Sequence, residues 1–192
     1  MQVGAFDGTS GDPVRPLVEK HGLRGVLLEP QREAFDKLCQ NYSQFGGRFK
    51  LVNAAIGPFD GEKPLYRIRK DAHGPEWLPQ LASFDRKTIT KHRRSVPDIE
   101  SLIEVEQVSC ITFPSLFQTL GNPRVDFLQI DAEGYDAEIL RLFDLQSHMP
   151  AIVHFEHKHL SRKEHEAAIR NLINLGYKIA ILGENTLAYW KR

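Results

Sequence analysis

Short, fully apolar runs punctuate the chain and alternate with stretches in which apolar residues recur every three or four positions. Residues 2–5 read as the end of a strand, and 25–29 and 49–56 as two further strands. Between them, Val14, Leu17 and Val18 mark one helix, and Phe35, Leu38 and Tyr42 mark a second over residues 31–42. Continuous apolar runs suit parallel strands covered on both faces, and helix-spaced apolar positions suit the helices that cover them. Asp12 and Pro13 predict the start of the first helix, as N-cap and first helical residue, and Gly22 predicts its end. The first 57 residues thus predict β-α-β-α-β, a mononucleotide-binding half-fold.

Residues 58–107 break that rhythm. Residues 63–69 alternate like an antiparallel strand, and an irregular stretch with Pro75, Pro79 and Pro97 follows. Within 62–94 stand nine Lys or Arg against four acids. This region reads as an insertion that forms a lid or side wall, with a solvated surface excursion as the plain alternative. The regular pattern then returns, with strands at 106–112, 125–131 and 151–156. Helices are predicted at 114–120, at 135–145 and from a Ser161 cap to Leu175. Two last strands, 177–182 and 187–190, are separated by four residues only, which is too few for a parallel crossover and predicts an antiparallel hairpin. The fold class expected is α/β: one domain over 1–192, doubly wound around a mostly parallel seven-stranded sheet. The C-terminal hairpin is antiparallel, and an insertion of about 58–107 lies between the third and fourth core strands.

Composition narrows the function classes. With 192 residues, 41% hydrophobic and 26% charged, the chain is neither a disordered tail nor a fibrous repeat nor a disulfide-rich module. Lys+Arg and Asp+Glu both number 25, and zero net charge argues against a general nucleic-acid binder. Cys39 and Cys110 read as reduced core thiols, which places the chain in a reducing, cytoplasmic setting. No apolar run approaches the ~20 residues of a membrane span, so no membrane partner is expected. Residues 1–4 show neither the basic nor the apolar region of a secretory signal.

Candidate chemistry gathers at the predicted strand ends. Gly4 and Gly8 flank the first strand-to-helix turn in a GxxxG spacing, distinct from the GxGxxG of dinucleotide binders. Glu29 closes the second strand 25 residues after Gly4, where a carboxylate can accept both hydroxyls of a ribose. The plain alternative is an acid that merely precedes Pro30 at a helix start. Asn53 and Ala54 end the third strand, where an adenine would lie; an Asn that turns the chain is the competing reading. Asp131, Glu133 and Asp136 crowd one loop, and Glu156, His157 and His159 crowd the next. Neighbouring loops of a parallel sheet would bring these groups to one pocket, as a general base set, a metal site or a cluster of helix caps and surface charges. The metal-free reading is favoured, because no single element carries the HxxxH-type spacing of a dedicated ligand set.

Residues 2–12, Leu28-Glu29-Pro30, Asn53-Ala54-Ala55, residues 128–135 and Phe155-Glu156-His157 together resemble the FkbM family of methyltransferases over essentially the whole chain. The resemblance implies a Rossmann-like, class I methyltransferase fold, S-adenosylmethionine (SAM) as cofactor and O-methylation of a sugar or natural-product hydroxyl. By it, Gly4, Asp7 and Gly8 line the methionine end of SAM, Glu29 the ribose and Asn53-Ala54 the adenine, with Asp131 at the same crevice. His157, Asp131, Glu133 or Glu156 is the base that takes the hydroxyl proton. One departure stands out. Class I chains commonly carry an acid two residues before the first glycine, and here that residue is Gln2, whose side-chain carbonyl would face the SAM amino group with less charge attraction. A non-catalytic nucleoside-binding protein of the same fold is therefore the alternative. A nicotinamide-dependent enzyme fits less well, because GxGxxG is missing and the hairpin is present.

Overall fold

The computed structural model describes residues 1–190. In chain order the main elements are β1 (Gln2–Val3), α1 (Arg15–His21), β2 (Gly25–Leu28), α2 (Arg32–Tyr42), β3 (Phe49–Val52), β4 (Ala55–Ile56), β5 (Gly61–Ile68), β6 (Ala82–Ser83), α3 (Arg86–Thr90) and β7 (Ile103–Ile111). Then follow α4 (Phe113–Leu120), β8 (Phe127–Ile130), α5 (Asp136–Leu142), α6 (Leu145–His148), β9 (Ile152–Glu156), α7 (Arg162–Asn174), β10 (Lys178–Leu182) and β11 (Asn185–Tyr189).

Seven strands form one sheet in the order β10-β11-β9-β8-β1-β2-β3, and four form a second in the order β4-β7-β5-β6. In the larger sheet β1, β2, β3, β8 and β9 pair in parallel, while β11 runs antiparallel to both β9 and β10. Alternation along β2 shows why the sheet is covered twice. Val26 and Leu28 join the larger core with Leu116, Ile139 and Leu172, whereas Leu27 turns to the other face against Leu38 and Tyr42. Helix α7 starts as its sequence predicts: Ser161 Oγ accepts from Glu164 N, and the Glu164 carboxylate accepts from Ser161 N at 2.8 Å.

Three sequence expectations need correction. Residues 49–56 are two strands, because Asn53 Nδ2 donates to the carbonyls of Glu29 (2.8 Å) and Pro30 (3.0 Å) and turns the chain from the larger sheet into the smaller one. The strand expected at 106–112 begins at Ile103 and belongs to the second sheet, paired along β5 from Gly61↔Cys110 to Ile68↔Ile103. Helix α1 starts at Arg15 with Pro16 in its first turn, and Asp12 instead holds the preceding turn by accepting from Val14 N at 2.8 Å. The second sheet and the segments beside it enclose a small core of their own, built from Ile68, Leu78, Leu81, Ile89, Val96 and Ile99. Cys39 and Cys110 are free thiols. Among the described residues no helix is long and apolar enough to cross a membrane.

Candidate active site

The site lies at the C-terminal ends of β1, β2 and β8, where a cavity opens between the larger sheet and the second one. Gly4 sets its floor. Its backbone is left-handed (φ +79°), and a Cβ there would overlap the carbonyl oxygen of Asp131. The loops after β1 and β8 therefore approach as closely as only glycine permits. The amides of Gly4 and Ala5 both donate to Leu28 O at 3.0 Å. Phe6, itself left-handed (φ +46°), donates its amide to Glu29 Oε2 at 2.9 Å.

Glu29 is 3% exposed and accepts from backbone amides on both oxygens, Phe6 N on Oε2 and Gln31 N at 2.8 Å on Oε1. Burial pushes its carboxyl up to about 7, against the pull of these amide bonds. It faces the cavity, as do Gly4 and Ala54. Asn53 does not line the cavity, since its amide is used on the Glu29 and Pro30 carbonyls. Asp7 and Gly8 are not brought there either. Burial alone would raise the Asp7 carboxyl, but bonds from Ser10 and Thr9 outweigh it and hold it below the usual range. Asp7 thus shapes its own loop, and Gly8 packs on α2, where a Cβ would come within 2.6 Å of Leu38 Cδ1.

Gln2, read from the sequence as facing the SAM amino group, and Asp12, read as a helix cap, are paired at the cavity. Gln2 is 4% exposed and gives its Nε2 to Asp12 Oδ1 at 3.0 Å. This leaves Gln2 Oε1 and Asp12 Oδ2 buried with no hydrogen-bond partner among the described residues, on two side chains of the cavity wall. An ammonium group is the complement to such a pair. The Gln2-to-Asp12 spacing falls across a loop, so no periodicity could have coupled the two.

The acidic loop after β8 is held from inside. Asp136 is fully buried and accepts from the amides of Ala132 (3.2 Å) and Gly134 (3.1 Å), and burial pushes its carboxyl up to about 8. Glu133 is left-handed (φ +47°), and its carbonyl accepts from Ser83 Oγ of β6 at 2.8 Å, tying the insertion to the loop. Asp131 and Glu133 both line the cavity. Burial, and secondarily Glu133, raises the Asp131 carboxyl to about 6.

Of the expected convergence of Asp131, Glu133, Glu156 and His157 in one pocket, Asp131 and Glu133 line the cavity, Glu156 lies beside Glu133 without lining it, and His157 turns away. His157 Nδ1 lies 3.0 Å from Thr186 Oγ1, and its ring stacks on His165 at 4.1 Å and 10°. His159 takes the place instead: its Nε2 is 3.0 Å from Glu133 Oε2 and 3.8 Å from Glu156 Oε2. The turn after β9, closed by Leu160 N on His157 O at 3.1 Å, carries residue 159 back to the side of Glu156. The i,i+3 spacing of Glu156 and His159 was the available signal. The outer wall adds Phe84 and Tyr135 at 5.1 Å edge to face, with Lys63 Nζ 4.0 Å from the Phe84 ring centre.

The model of the methyltransferase FkbM domain matches residues 2–179. The chain belongs to the FkbM methyltransferase family. Its first strand, its glycine loop and all the acids of the cavity lie within the matched span, so the cavity is the family domain's own. None of the curated proteins and none of the solved structures matches the chain.

Proposed function

We propose that this FkbM-family chain is a SAM-dependent O-methyltransferase whose acceptor is a hydroxyl of a sugar or natural product. The observation that carries the reading is the cavity's donor set. Glu29, buried at the end of β2, lines the cavity, and so do Gln2 and Asp12, whose Oε1 and Oδ2 are partnerless among the described residues. A ribose and an ammonium are the two groups of SAM that such acceptors fit. Asp12 supplies the negative charge that Gln2 lacks. Ala54 leaves an apolar place for the adenine. The strand order 3-2-1-4-5-7-6, counted within the larger sheet, supports the class I methyltransferase assignment.

Bound there, SAM supplies a methyl group already activated for transfer. The chain then has to exclude water, align the acceptor oxygen and remove its proton. Phe84 and Tyr135, packed edge to face on the outer wall of the cavity, suit the face of a sugar or polyketide ring. Asp131 takes the hydroxyl proton, since its carboxylate lies on the wall that abuts Gly4. The insertion serves as the wall of the acceptor pocket through Ala82, Ser83 and Phe84.

Calorimetric titration with SAM tests the reading. One molecule should bind per chain, and Glu29→Ala should weaken it by about 1–3 kcal/mol, the usual loss for a charged hydrogen-bond partner. Labelled methyl from SAM should then appear on members of a panel of sugar and polyketide alcohols. A folded chain that binds no SAM would overturn the proposal.

A further inference from the structure

The cluster behind Glu133 has more acceptors than the protein can satisfy. Glu133, Glu156 and His159 each offer one ligand atom, and the three atoms lie within 4.8 Å of one another. The His159 side chain is 6% exposed, yet neither of its close carboxylate contacts meets hydrogen-bond geometry. Glu133 Oε2 and Glu156 Oε2 are buried with no hydrogen-bond partner among the described residues. A third such atom, His92 Nε2, belongs to a ring 5.4 Å from that of His159. The nearby lysines are engaged elsewhere: Lys91 Nζ donates to His159 O at 3.1 Å, and Lys158 Nζ pairs with Glu184 at 3.2 Å. Two half-buried carboxylates, each with one buried oxygen and with Asp131 beside them, thus share one imidazole. Leaving such groups unpaired is costly.

We propose that Glu133, Glu156 and His159 form a divalent-cation site, with Mn²⁺ or Mg²⁺ as the class of ion bound. Two carboxylate oxygens and one imidazole are a predominantly hard donor set, which suits Mg²⁺ and Mn²⁺ better than the softer metals. The His159 contact of 3.0 Å to Glu133 matches the edge length of roughly 3 Å between adjacent ligands held about 2.1 Å from one ion, and the 3.8 Å contact to Glu156 is within the roughly 4.2 Å between opposite ones. Three protein ligands leave positions for water and for an acceptor hydroxyl, and Glu133 places the ion at the cavity wall. In that position a cation would lower the pKa of a coordinated hydroxyl and hold its oxygen toward the cofactor. Only this role rests on the proposed methyl transfer; the binding of the ion does not.

The test is titration of the metal-free chain with Mn²⁺, without SAM, reading free Mn²⁺ by electron paramagnetic resonance. One ion should bind per chain. Glu156→Gln and His159→Ala should each weaken it by about tenfold or more, with SAM affinity unchanged within twofold and the melting temperature still that of a folded chain. Absence of stoichiometric Mn²⁺ binding to the wild type would overturn the proposal, as would equal binding in either folded variant. Mn²⁺ binding by a chain that fails to bind SAM would keep the cation site and remove the methyltransferase reading.

Discussion

Glu29→Gln separates the electrostatics of the cavity from its shape. The substitution keeps the side chain's volume and removes its charge. In the folded chain Glu29 holds its proton up to about pH 7, because it is buried, whereas an ordinary glutamate loses its proton near 4.5. Between those values the folded state binds more protons than the unfolded one, so Glu29 makes stability fall as pH rises. Its contribution is fully present below 4.5 and lost as pH passes through 7. At about 1.4 kcal/mol per pH unit between the two values, the loss is about 3 kcal/mol. Gln has no such titration. Its Oε1 accepts from one of the two amides, of Phe6 and Gln31, and its NH2 cannot accept from the other, a cost that is the same at every pH. Urea unfolding of both proteins from pH 4.5 to 8 should therefore show the variant gaining about 3 kcal/mol on the wild type across that range. Asp131 and Asp136 also carry raised carboxyls, so the quantity to read is the difference between the two curves, not the slope of either. SAM binding at pH 8 should move the other way, weaker in the variant by about 1–3 kcal/mol. Two parallel stability curves would refute the buried-charge argument outright.

Gly4→Ala should lower stability by about 3 kcal/mol or more, since a methyl group there overlaps the Asp131 carbonyl and sits on a left-handed backbone; an unchanged thermal melt would show that the two loops are free to part. His157→Ala should leave methyl transfer within about twofold and cost about 1 kcal/mol of stability through the lost Thr186 bond. A loss of turnover near a hundredfold, with SAM affinity intact, would instead restore His157 as the base.

The larger sheet was legible because its signals are local. Strands β2, β8 and β9 are short apolar runs, and the spacer before β11, four residues as read from the sequence and two in the structure, allows only a hairpin. The turn at Asn53 was not legible. Phe49 to Ile56 is apolar but for Lys50 and Asn53, and nothing in the run itself says that the Asn amide will bond to carbonyls some 24 residues back in sequence. The insertion read as a lid or side wall with a solvated surface as the alternative, and its charges could not decide between them. Arg67 is 7% exposed and pairs across the second sheet with Glu104 and Glu106. Charges on facing strands look the same in sequence whether they meet each other or water.

The carboxylates of the site were legible from strand ends, and the imidazole was not, for one geometric reason. A strand fixes which side each residue faces only while the strand lasts. Asp131 and Glu156 sit at or beside the last paired residues of β8 and β9, so topology alone delivers Asp131 to the crevice and Glu156 to the side of Glu133. His157 is one residue beyond β9, where its amide bonds to Glu184 O and its ring turns to Thr186 and His165. His159 is two residues further on, inside a turn whose closure only the coordinates supply. The same turn that parts His157 from the cavity gathers Glu133, Glu156 and His159 around one point. A pair of histidines two residues apart is thereby divided, one packed against the C-terminal hairpin and the other aimed at the acids, and the sequence spacing that suggested a shared role holds for only one of them.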